Sequence, residues 1–157
     1  HKIAETVIKT NRRMTYTNVK KILADKDAAV IEEYKELVPM FEKMAELAAI
    51  LRKKRMKRGS IDFDFPETKV VLDEDGHPID IKPYDRNVAT KLIEDFMLIA
   101  NETVAEDYFW QEIPFVYRTH DKPDSEKIAK LSTFINNFGY TLHIGADEVH
   151  TKELQKH

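Results

Sequence analysis

Two adjacent acids, Glu94 and Asp95, interrupt an otherwise apolar run between Leu92 and Ala100. Glu94 lies seven residues after Asn87 and seven before Asn101, so on a helix the three share one face. Buried polar groups need partners, because leaving them uncompensated costs several kcal/mol. The Asn–Glu–Asn stripe therefore either faces water on a half-buried helix or lines an internal polar groove. In a groove, the carboxylate would accept hydrogen bonds from a bound partner. A second concentration of charge lies in LRKKRMKRG, where six of the seven residues from Arg52 to Arg58 are basic. Cations suit a helix C-terminus, and the functional alternative is a patch, Arg52 and Arg55 included, that contacts phosphates. Tyr16 sits just before a short helix, where its ring can pack and its hydroxyl reach a partner.

Other chemistry is poorly supported. Asp73, Glu74 and Asp75 begin like a calcium loop, but its later positions are not filled, and a turn is the better reading. The spacing of His143 and His150 makes no metal site. Asp62 and Asp64 alternate on an expected strand without further partners. The sequence contains no Cys–His pair, glycine-rich phosphate loop, nucleophile elbow or tight aspartate cluster able to hold two magnesium ions.

The elements that position these residues can be read in order. Residues 3–10 suit a short strand, and Thr17 or Thr15 caps a short helix with Val19, Ile22 and Leu23 on its apolar side. Asp27 starts a long helix ending near Arg58. Its apolar residues Tyr34, Leu37, Phe41, Met44, Ala48 and Leu51 are spaced for packing on another helix. Pro39 should kink that helix or divide it in two, and Gly59 stops it. SIDFDF and TKVVLD follow as strands, then a hairpin turn at Asp75-Gly76 and another strand. The central helix, within Lys82–Ala105 and capped by Asp85, should be buried on more than one side. A short strand through Phe115, Val116 and Tyr117 precedes a helix opened at Pro123-Asp124 and ended by Gly139. A last helix starts at Thr151. The expected class is α+β, with long helices on a small, mostly antiparallel sheet.

With 157 residues, the chain can bury one genuine core. A net charge of −3 argues against a globally basic nucleic-acid binder, and no apolar run reaches membrane-spanning length. The absence of cysteine excludes disulfides and thiol chemistry and suits a reducing compartment, so a cytoplasmic location is expected. The start at His1 and the end at His157 suggest a piece of a longer protein. Composition and spacing alone do not give a function.

Four segments do point to one: RRMTYTNVKKIL, LAAILRKKRMKRGSIDFDFPE, IKPYDRNVATKLIEDFMLIANETVAE and IPFVYRTHDKP. Together they closely resemble the catalytic domain of the ribonuclease R and ribonuclease II family, nearest to its low-GC Gram-positive members. The resemblance runs the length of the chain and is most specific over 52–105. It implies a middle portion (1–157) of the catalytic RNB domain of a processive 3′-to-5′ exoribonuclease. Such an enzyme is magnesium-dependent, takes a single-stranded RNA 3′ end, releases nucleoside 5′-monophosphates and encloses the RNA in a deep channel.

Residue by residue, the resemblance puts the family's ribose-side tyrosine on Tyr16 and the first acid of its acidic pair on Glu94. The second acid, usually Glu, is Asp95 here, at a position expected to be less directly involved. A base-stacking phenylalanine falls on Phe63 or, with the register shifted, on Phe65. Arg52 and Arg55 are expected to attract RNA phosphates. The family's magnesium-binding aspartates would fall before His1 and its catalytic arginine after His157. No catalytic residue or metal ligand is therefore assigned within the chain, and no bound magnesium is expected. The isolated chain is expected to be inactive, and non-native self-association is an open outcome. The alternative is a non-catalytic RNA-binding or protein-interaction module on the same scaffold.

Overall fold

The computed structural model describes residues 1–63, 67–144 and 149–156. Asp64, Phe65 and Pro66, including the alternative stacking position Phe65, lie outside the described residues. Thr15 caps α1 (Tyr16–Lys20) by accepting from the Asn18 amide, which decides between the two threonines. A π-helical turn, Lys21–Asp25, carries the chain to α2 (Ala28–Glu33), whose cap is Asp27. Helix α3 (Val38–Arg58) is separate from α2. Pro39 lies in its first turn, where a missing N–H leaves no intrahelical bond unmade, so the proline divides the expected long helix rather than kinking it. Gly59 ends α3 in the left-handed region at φ 106°.

An antiparallel hairpin follows, β1 (Thr68–Leu72) with β2 (Pro78–Pro83). Gly76 takes φ 85° at its turn, and the Asp73 carboxylate accepts from the amides of Asp75 and His77. Helix α4 (Val88–Trp110) begins two residues later than Asp85 would have it. Asn87 is the cap: its side chain accepts from Ala89 and Thr90, while Thr90 answers at the Asn87 amide. Asp85 instead receives Lys20 at 3.1 Å, tying α1 to the start of α4. Helix α5 (Ser125–Asn136), capped by Asp124, and α6 (Thr151–Gln155) complete the described elements. The class is α+β, as expected.

The main core gathers Val19, Ile22, Phe41 and Ala89, with Met14, Tyr34, Leu37 and Met44 around them. Helices α3 and α4 pack along each other, and the end of α6 closes on α3. There Gln155 Nε2 donates to the carbonyls of Met56 and Ser60 at 2.9 and 2.7 Å. A second cluster joins Ile128, Ile135 and Leu142.

Two expected strands, 3–10 and 115–117, are irregular, and so are residues 60–63, the described part of the expected strand SIDFDF. Their β-type composition finds no neighbouring strand to complete a ladder, and composition without a partner does not make a strand. The hairpin is exposed along nearly all of its length. Helix α4 is buried on one side only: Ala89 and Leu92 are covered, while Met97 is 58% exposed.

Candidate RNA-facing surface

The polar centre of the molecule is a chain of alternating charges where α3, α4 and the segment after Gly59 meet. Asp95 lies three residues after Leu92 and so shares its buried face. Its side chain is 3% exposed, and it is bridged by Arg52 Nε at 2.9 Å and Arg55 Nη2 at 2.6 Å. Arg52 and Arg55, three apart on α3, present their guanidiniums to α4 together. Arg52 Nη1 continues to Asp62 at 3.0 Å, and Arg55 Nη1 donates to Ser60 Oγ at 3.2 Å.

Asp62 then accepts from Arg86 Nη2 at 2.9 Å. Arg86, in the segment between β2 and α4, forks the carboxylate of Glu94 through Nε at 3.1 Å and Nη2 at 2.7 Å. The hydrogen bond from Arg86, and its charge together with that of Arg52, outweigh desolvation and hold the Asp62 carboxyl below the usual carboxylate range. Glu94 first, then Asp62, keeps Arg86 even more firmly protonated than an ordinary arginine. Further along α3, Arg58 reaches Glu102 of α4 at 2.6 and 3.2 Å.

The structure brings some expected site residues together and separates others. Arg52 and Arg55 are bound to acids inside the protein. The members of the basic run that face water are Lys53, Lys54, Lys57 and Arg58. Tyr16 is half exposed and lines a cavity of about 480 Å³ with Arg13, Met14, Phe41, Met44 and, from α4, Ala89, Leu92 and Ile93. Glu94 follows Ile93 by one residue, about 100° around the helix, and turns to Arg86. Phe63 is 63% exposed, one residue beyond Asp62. The stripe of Asn87, Glu94 and Asn101 is not one continuous surface, since Asn87 is spent as the helix cap.

Sequence reasoning missed Arg86, Asp62 and the burial of Asp95. The signal for Asp95 was present, because its three-residue step from Leu92 marks the buried face. Nothing local marks Asp62 and Arg86, which meet only through the tertiary structure.

These acids do not fit a magnesium centre. Glu94, Asp95 and Asp62 each face guanidinium groups, whose positive charges oppose a hard cation at the same oxygens. The Asp73, Asp75 and His77 group is exposed in the hairpin turn, where Asp73 Oδ1 already accepts two backbone amides.

The fold and the sequence place the chain in a known class of domain. Residues 1–156 match the RNB domain family, and the chain belongs to it. Among its relatives is ribonuclease R 2 of Lactococcus lactis, 42% identical over 146 residues, which covers 91% of this chain and 22% of that protein. Ribonuclease R of Thermotoga maritima is 41% identical over 152 residues, 96% of this chain and 21% of the relative. The chain thus spans about a fifth of the length of these relatives. The solved structure of Mycoplasma genitalium RNase R in complex with ribose methylated single-stranded RNA superposes with a TM-score of 0.70 at 29% identity. It covers 90% of this chain and 22% of that one.

Proposed function

We propose that this chain is a substrate-facing part of a 3′-to-5′ exoribonuclease that degrades single-stranded RNA to nucleoside 5′-monophosphates. The observation that carries the reading is the match to the RNB domain family over residues 1–156. The M. genitalium relative solved with single-stranded RNA supports RNA as the partner. In this reading the Tyr16 ring packs on the sugar of a terminal nucleotide and the Glu94 carboxylate accepts from its 2′-hydroxyl, the group that separates RNA from DNA. Phe63 stacks on a base. The exposed cations at the end of α3 add sequence-independent attraction to phosphates. Arg52 and Arg55 act there by holding α3 to α4 and the segment carrying Phe63, in place of direct phosphate contact.

Magnesium belongs to the complete enzyme in this reading. Hydrolysis of a phosphodiester by metal-activated water needs carboxylates free to hold the ions, and the site acids of this chain are committed to arginines. The isolated chain is therefore inactive. The test is to incubate the purified chain with end-labelled single-stranded RNA, with and without Mg²⁺. Salt-sensitive binding without release of mononucleotides is expected. Metal-dependent stepwise shortening would overturn the inactivity, and absence of RNA binding at low salt would overturn the substrate-facing role.

A further inference from the structure

We propose that Arg86 is a positioning residue for ribose recognition, holding the Glu94 carboxylate and the Phe63 segment at a fixed separation through one guanidinium. The inference rests on the proposed roles of Glu94 and Phe63 and adds the group that sets them relative to each other. A glutamate on an exposed helix face has three rotatable bonds and, left alone, samples several rotamers. Here Arg86 Nε and Nη2 grip both carboxylate oxygens, a forked geometry that fixes the plane of the acid as well as its place. The same Nη2 also donates to Asp62 Oδ1 at 2.9 Å, and Asp62 immediately precedes Phe63. One donor atom is thus shared between the helix expected to read the sugar and the segment expected to stack the base.

Location supports a role beyond holding the fold. The Asp95 pair with Arg52 and Arg55 lies inside the α3–α4 contact, whereas Glu94 is 39% exposed and Asp62 30% exposed. Glu94 remains open to a ligand donor from solvent, since a carboxylate has about four lone-pair directions and the fork uses only part of them. Lysine cannot reproduce this arrangement, being a point charge without a planar fork.

The experiment measures binding of the 157-residue chain to a labelled RNA oligonucleotide and to DNA of the same sequence, by fluorescence anisotropy. Wild type should prefer RNA by about tenfold or more, the scale of one hydrogen bond to a charged group. Arg86→Lys should remove most of that preference. The loss should fall on the RNA Kd, with the DNA Kd moving less than about twofold, within what a surface change allows. Glu94→Gln should remove the same preference, and combining it with Arg86→Lys should add nothing. Asp62→Ala, which takes away one of the two acceptors of Arg86 Nη2, should shift the ratio in the same direction and decides the matter alone if Arg86→Lys does not fold. An unchanged RNA/DNA ratio in the folded Arg86→Lys chain overturns the positioning role, as does equal weakening of RNA and DNA. A wild-type chain without RNA preference overturns the ribose reading of Glu94, and this inference falls with it.

Discussion

Replacing Asp95 by alanine should destabilise the chain by about 3 kcal/mol, the lower end of the cost of breaking a buried ion pair. The side chain is 3% exposed and receives two charge-assisted hydrogen bonds, at 2.9 Å from Arg52 and 2.6 Å from Arg55. Its removal takes the buried carboxylate from both guanidiniums, leaving Arg52 with Asp62 and Arg55 with Ser60 as partners. The two arginine side chains are 24% and 18% exposed and also recover some hydration, which keeps the estimate below the top of the range of about 5 kcal/mol. Asp95→Asn keeps the volume and one acceptor but loses the charge, and should cost about 2 kcal/mol. Urea denaturation of each chain, followed by helical circular dichroism, measures both. With a slope of roughly 2 kcal/mol per molar, the alanine midpoint should fall by about 1.5 M. The triple change Asp95→Leu, Arg52→Met, Arg55→Met should recover much of the loss, because it removes the charges together with their desolvation cost. An alanine variant within about 0.5 kcal/mol of wild type, the range of ordinary surface changes, would refute the reasoning. So would a triple variant weaker than Asp95→Ala.

Two further outcomes follow from particular contacts. A Cβ on Gly59 would meet Thr151 Oγ1 at 2.6 Å and the Lys152 amide at 2.9 Å, at a φ of 106° that disfavours side chains. Gly59→Ala should therefore lower stability by more than about 1 kcal/mol and speed amide exchange across Thr151–Gln155, and an unchanged Tm would remove the close-approach argument. Asp62 has its carboxyl lowered in the folded state, so its contribution is complete above the ordinary value of about 3.9 and disappears as pH falls below it. Asp62→Asn should flatten the acid limb of a stability-against-pH curve below about pH 4. A limb of unchanged steepness would show that other carboxylates carry it.

The sequence by itself determined most of the local structure. Thr15 or Thr17 as a cap, Asp27 and Asp124 as helix starts, Pro39 as a divider, Gly59 as a stop and Asp75-Gly76 as a turn all act through backbone geometry within a few residues. The structure had only to choose among them. The family was legible too, because the segments that carry it lie within continuous stretches of chain. Strands were less legible: 3–10, 60–63 and 115–117 have suitable residues, but a strand depends on a partner that local composition does not specify.

The charge chain was decided by tertiary structure alone. Arg52 and Arg55 read as a phosphate patch because the sequence shows six basic residues together. Asp95, which binds them, stands 43 and 40 positions away. Asp95 read as the lesser of two acids, yet helix packing makes it the buried one and leaves Glu94 to Arg86. An ion pair is fixed by the distance and dielectric around two charges, and both are properties of the packed α3–α4 contact rather than of either helix.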